Sequence, residues 1–330
     1  MQISWVSYGG IILRVLFLVQ KEQRAILDRL YEGVAASCDC DIRWLDSREQ
    51  SDLRGYFREQ VDIQAYDRIL FFLRFKKEIR QVRFIETLPN VVFLEHDAYQ
   101  NYIAGKYQGI FSRQYRRLPN ARVISSGFGV ARRLFEEGVD AVFVPKGYDQ
   151  ELLGDQNLDR DIELGFIGSL KSGVYSERKA LLDALAYVEP VQIMRTNSGA
   201  EYVQMLNRIR FFVSADIGMG EYMIKNFEAM ACGCVLLTYD QGDAENQALG
   251  FLDMQNIVLY RTLDELRDKL KFLREEPGRA ESIARQGRHL AESRFRFCDL
   301  GRKIVDVMQP PLRDRTRLTL WQKIRVMFKV

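Results

Sequence analysis

Short apolar runs, rich in β-branched and aromatic residues, alternate along the whole chain with amphipathic helical patterns. No feature limits the fold more, because strands separated by helices pair in parallel as βαβ units. In the first half the strand candidates are 3–7, 41–45, 68–73, 90–94, 122–125 and 141–144, with helices expected at 21–36, 77–86 and 128–137. In the second half strands are expected at 163–167, 191–194, 211–214, 235–238 and 257–259. Helices there are expected at 176–186, 200–208, 222–231, 263–274 and 279–292. The series is interrupted once, at Val144-Pro145-Lys146-Gly147-Tyr148-Asp149, where proline and glycine break both patterns. With 330 residues this reads as two α/β domains, 1–149 and 150–309, followed by a break at Pro310-Pro311 and a basic segment, 310–330.

Composition narrows the class. Apolar residues make up 47% and charged residues 28%, as in a soluble protein able to fill two cores. The five cysteines are odd in number, which speaks against a disulfide framework, and two histidines exclude a histidine-rich metal centre, so no metal is expected. The most apolar run, 11–19, is interrupted by Arg14 and is too short to span a bilayer. The expected place is the cytoplasm, free or on the inner face of a membrane.

The segment Glu221 to Gly233 carries the chemistry. It follows a strand and a glycine-bearing loop, so its helix starts at the carboxyl edge of a parallel sheet, where open α/β folds bind ligands. The free N–H groups of a helix start favour a phosphate. Lys225 adds a cation, and Glu228, one turn on, is placed to accept from ribose hydroxyls. Gly168-Ser169 ends another strand, and a glycine there lets a phosphate approach the backbone; Lys171, with Arg178 behind it, supplies the second cation that a diphosphate leaving group needs. An ordinary α/β helix with solvated Glu and Lys would read the same way.

The run Lys225-Asn226-Phe227-Glu228-Ala229-Met230-Ala231-Cys232-Gly233 resembles the donor-site motif of GT-B glycosyltransferases of the group 1 class, particularly the spore-maturation-type branch. Phe166-Ile167-Gly168-Ser169-Leu170-Lys171 is similar to the family's first donor-domain strand and turn, and Val144–Asp149 to its interdomain segment. The good match covers 144–300; residues 1–143 match only in pattern. The resemblance implies two Rossmann-like domains facing each other across a cleft, the second holding the donor. It places the ribose on Glu228, the diphosphate on Lys225 and the donor on Asn226, Gly168, Ser169, Lys171 and Arg178. It also implies a glycine-rich loop after the first strand, here Gly9 and Gly10, and a sugar-contacting histidine, here His96 with Glu95 and Asp97 beside it. Many relatives carry two glutamates eight positions apart; here the position eight before Glu228 is Gly220, and the nearest acid, Glu221, is one step off. Its sugar-contacting role is therefore open.

The expected reaction moves a hexose from a nucleoside diphosphate sugar, with a UDP-sugar as first choice and no other cofactor. The acceptor would be a glycan or lipid-linked hydroxyl in bacterial cell-surface polysaccharide synthesis, and the family implies retention of configuration. The alternative is a degenerate GT-B protein that binds without turnover. Residues 313–330 hold six basic side chains and one acid, +5, which leaves −2 for the rest of a chain of net charge +3. In 320–330 the residues Leu320, Trp321, Ile324, Met327 and Phe328 share one helical face. That stripe fits an anionic membrane surface or packing on the first domain. No nucleic-acid module is recognisable.

Overall fold

In this computed structural model, which describes residues 12–22, 26–170 and 176–314, the first strand is β1 (Arg14–Gln20). Val15 to Val19 are each wholly buried and only Arg14 is exposed, so the arginine that seemed to interrupt the apolar run is the strand's first residue. An unbroken apolar run is what a parallel strand covered on both faces requires. The 3–7 candidate lies outside the described residues.

Five further strands complete a parallel sheet in the order β2-β1-β3-β4-β5-β6. They are β2 (Asp39–Leu45), β3 (Arg68–Phe72), β4 (Val91–Glu95), β5 (Arg122–Ser125) and β6 (Asp140–Phe143). Its helices are α1 (Asp28–Ala35), α2 (Leu53–Gln60), α3 (Phe75–Glu78), α4 (Val82–Ile85), α5 (Ile110–Arg116) and α6 (Phe128–Glu136). The helix expected at 77–86 is broken by a 3-10 turn at Ile79–Gln81, and that at 21–36 shrinks to α1.

The second sheet is also parallel, in the order β11-β10-β9-β7-β8. It consists of β7 (Ile162–Ile167), β8 (Gln192–Met194), β9 (Ile209–Ser214), β10 (Val235–Tyr239) and β11 (Val258–Tyr260). Around it lie α7 (Ser176–Val188), α8 (Ala200–Arg208), α9 (Ile224–Ala231), α10 (Asp243–Leu249), α11 (Leu263–Glu275) and α12 (Pro277–Arg294). Thr262 caps α11 by accepting from the N–H of Glu265. Both sheets reverse their strand order after the first strand, so each has a switch crevice: β1/β3 in the first, β7/β9 in the second.

The chain crosses between the sheets twice, and the crossings touch. Tyr148 N–H donates to Phe295 and Phe297 N–H donates to Tyr148, both at 3.0 Å. The return is therefore at Phe295–Phe297 rather than at Pro310-Pro311. The last helix, α13 (Phe297–Met308), packs on α1 and shares the first sheet's core through Phe297, Leu300, Ile304, Val305 and Met308. Glycines make that contact: a Cβ on Gly301 would lie 2.3 Å from the backbone of Gly33.

Candidate functional site

The β7/β9 crevice gathers the sequence-predicted donor residues. Lys225, in the first turn of α9, donates through Nζ to the carbonyl of Ile167 at the end of β7, at 2.6 Å. Gly168 lies beside it; a Cβ there would stand 3.5 Å from the same Nζ. Burial lowers the Lys225 pKa, and the neighbouring Arg178 and Arg195 push the same way while Glu228 opposes them. Arg195 follows β8 at the same edge and is exposed, a third cation that the sequence reading missed.

Glu228 lies one turn along α9. Tyr202 of α8 donates its hydroxyl to Oε2 of Glu228, and its ring lies 5.3 Å from Lys225 Nζ. The other oxygen of Glu228 takes no hydrogen bond from the described residues. Burial raises the Glu228 pKa, and the Tyr202 hydroxyl and Lys225 hold it down. The arrangement leaves one carboxylate oxygen open and a cation one turn away, which suits a ribose hydroxyl and a phosphate.

Asp216 organises the crevice floor. It pairs with Arg178 at 2.5 Å, takes the Ser214 hydroxyl at 3.0 Å and the Asn226 amide at 2.8 Å, and stands 3.4 Å from Met223 N at the start of α9. The helix start that the sequence offers to a phosphate thus has a carboxylate beside it. Asn226 is wholly buried, its amide on Asp216 and its Oδ1 without a hydrogen-bond partner among the described residues; it shapes the turn beneath the crevice. Arg178 is buried in its pair with Asp216, and Ser169 is half-buried at the crevice edge. Lys171 lies outside the described residues. So do Gly9 and Gly10, which precede β1 in the chain.

Glu221 is placed elsewhere. Its Oε1 pairs with Lys146 of the crossing segment at 2.5 Å, and its Oε2 accepts from Ser126, after β5, at 3.0 Å. A Cβ on Gly127 would come within 2.6 Å of Oε2, so the glycine makes room for the carboxylate. Both oxygens are engaged by the first half of the chain, and burial raises the pKa against the pull of Lys146. Close by, Glu245 of α10 accepts from the N–H of Gly129 at 2.9 Å, in the first turn of α6; burial pushes its carboxyl to about 7. The Gly127-Phe128-Gly129 turn receives two carboxylates from the other half of the chain.

His96 follows β4, half-buried at the first sheet's carboxyl edge, with its ring 5.1 Å from that of Phe72. Burial and the Lys146 cation bring its pKa down to about 3, so it is a neutral imidazole at any ordinary pH. Beneath it lies Glu95, whose carboxyl burial raises well above the usual range; it accepts from Tyr115 at 2.9 Å. Among the described residues no group of histidine, cysteine and carboxylate side chains is arranged to hold a metal ion, and no helix is long and apolar enough to cross a membrane.

Residues 150–299 match a family model described as glycosyl transferase-like. No curated protein matches the chain by sequence. By fold the chain is similar to HepE from Anabaena, solved in complex with UDP: 15% identity, 90% of this chain and 99% of that one, TM-score 0.65. Sucrose-phosphate synthase from Thermosynechococcus elongatus aligns at 11% identity over 89% of this chain and 98% of its own, TM-score 0.63. A glycosyltransferase from Rickettsia africae aligns at 12% identity over 90% and 98%, TM-score 0.62. The fold is GT-B, two parallel α/β sheets of the kind these proteins share.

Proposed function

We propose that this chain, a glycosyltransferase of GT-B fold, moves a hexose from a UDP-sugar to a hydroxyl of a glycan or lipid-linked acceptor in bacterial cell-surface polysaccharide synthesis. The observation that carries the reading is the meeting of Lys225, Glu228 and Tyr202 at the β7/β9 crevice. HepE, solved with UDP and glucose, supports the choice of donor. In this reading residues 150–296 hold the donor, and residues 12–149 with α13 form the acceptor side.

Glu228 accepts from the ribose, and Lys225, joined by Arg195, meets the diphosphate. Charge grows on that leaving group as the glycosidic bond breaks, so the cations act most strongly in the transition state. His96, neutral, donates or accepts a hydrogen bond at the transferred sugar without a change of charge. Retention of configuration is part of the proposal, drawn from the family resemblance.

Donor affinity and turnover test it. Glu228→Gln weakens donor binding by about 1.5–3 kcal/mol, the scale of a hydrogen bond to a charged group. Lys225→Ala lowers turnover by roughly 10²–10³ and affinity by less. Both variants within about twofold of wild type, ~0.4 kcal/mol, would remove α9 from the donor site. A second reading, binding without turnover, draws on Glu221 being tied to Lys146 and Ser126; hydrolysis of donor in the absence of acceptor separates the two.

A further inference from the structure

Residues 74–117, on the proposed acceptor side, carry charge that the protein itself leaves unanswered. They hold nine basic and four acidic side chains. Six of the basic ones, Lys76, Arg80, Arg83, Lys106, Arg113 and Arg117, are exposed. Among the described residues none of the six makes a side-chain hydrogen bond or an ion pair. Elsewhere most described arginines do pair, as Arg178 does with Asp216, Arg208 with Asp161 and Arg274 with Glu163 and Glu189. Two of the four acids offer little opposition. Burial pushes the Glu78 carboxyl up to about 7 and raises that of Glu95 well above the usual range. The other two, Glu86 and Asp97, leave the face positive.

The fold brings these cations together near His96. β3 ends at Phe72, whose ring meets that of His96, and α3 begins at Phe75. The segment 97–109 then joins β4 to α5, so the first turns of α3 and α5 both stand at the sheet's carboxyl edge. Phe75 and Phe111 stack with 3.7 Å between ring centroids, and Tyr107 lies 5.7 Å from Phe75. Lys76, Lys106 and Arg113 are thereby set around one aromatic cluster. Lys76 and Arg80 are four apart, Arg80 and Arg83 three, Arg113 and Arg117 four. Like charges at that spacing on helical turns repel, and an anion laid between them removes the repulsion.

We propose that this face recognises an acceptor oligosaccharide bearing carboxylate or phosphate groups, with Lys76, Lys106 and Arg113 on the anionic groups. The inference rests on the reading of the first half as the acceptor side, and it narrows the acceptor to an anionic glycan. Charge carries it, because exposed unpaired cations concentrate and orient an anionic partner. Tyr107 is half-buried there, with the Lys106 ammonium 5.2 Å from its ring centre, a ring and a cation that together suit a charged pyranose. A membrane surface fits this face less well. An interfacial face needs exposed apolar side chains, and none of the exposed large ones lies in 74–117.

Titration of the full-length chain tests this. The probes are an oligogalacturonate, a phosphorylated mannose oligomer and uncharged dextran of the same length. At low salt at least one anionic oligomer binds tenfold or more tightly than dextran, and added salt weakens it. Which of the two binds tells carboxylate from phosphate. Lys76→Gln, Lys106→Gln and Arg113→Gln together weaken that binding about tenfold, ~1.4 kcal/mol, with thermal unfolding unchanged. The same loss of charge at Lys271, Arg279 and Arg285, exposed on the second half, leaves it within about twofold. UDP affinity stays at the wild-type value in both triple variants. A failed donor site therefore shows as absent UDP binding in wild type and leaves the oligomer result readable. Dextran binding as well as the anionic oligomers, or equal losses in the two triple variants, would overturn the proposal. So would a chain that takes phosphatidylglycerol vesicles or duplex DNA and neither oligomer.

Discussion

Two glutamates seven residues apart on one segment meet opposite fates. Glu228 is half-buried at a crevice of its own sheet, one oxygen held by Tyr202 and the other open. Glu221 is 1% exposed, and both of its oxygens are bound by groups from the first half of the chain. The difference is between a carboxylate with one oxygen open among the described residues and one whose two oxygens are bound across the two halves of the chain. A charge with a free lone pair beside a cation suits recognition; a charge saturated inside protein holds structure in place and is costly to disturb.

The largest effect should come from the joint. Glu221→Gln leaves the Lys146 ammonium buried without its counter-charge, and unfolding stability should fall by about 3–5 kcal/mol. Donor Kd should stay within about twofold, and Lys146→Met added to Glu221→Gln should restore much of the stability. Denaturant unfolding and donor titration decide it. A loss of donor affinity with stability intact would instead put Glu221 on the sugar and erase the contrast.

The joint should also respond to pH. Burial lifts Glu245 from 4.5 in the unfolded chain to about 7 in the folded one. The folded state then keeps a proton that the unfolded state loses, so stability is full below about 4.5 and declines as pH rises to about 7, by up to ~3 kcal/mol. Glu78, also lifted to about 7 by burial, adds a parallel decline. Glu245→Gln, neutral at every pH, should flatten part of the curve in thermal unfolding across pH 5–8. A slope equal to wild type would show that the carboxylate is not what binds α10 to α6.

The smallest effect sharpens the other side. Tyr202→Phe removes one hydrogen bond to the Glu228 carboxylate and should weaken donor binding by about 1 kcal/mol. The hydroxyl also holds the Glu228 pKa down, so without it affinity should fall away at a higher pH as the solution is acidified. An affinity change with an unshifted pH profile would make Tyr202 a packing residue only.

Part of the β7/β9 crevice was legible because it is local. Lys225 and Glu228 stand three apart on one helix, and the motif around them is contiguous. The partners that make them a site are not local: Tyr202 is 26 residues from Glu228, and Ile167 is 58 from Lys225. Nothing about Tyr202 in sequence distinguishes it from any tyrosine on an amphipathic helix. The same holds for Lys146, which reads as one residue of a hinge and proves to be the counter-ion of a carboxylate 75 positions away.

The alternation of short apolar runs with helical patterns by itself determined the two parallel sheets, most strand positions and the helix at Ile224–Ala231, because strands buried on both faces read as unbroken apolar runs and helices as a 3.6-residue repeat. It passed over β1, whose apolar run was read only as too short to span a bilayer. Which carboxylate keeps an oxygen open among the described residues and which is bound by the other half of the chain was decided only by the tertiary structure. Both carry the same side chain, and what separates them is the set of donors that folding brings from distant positions.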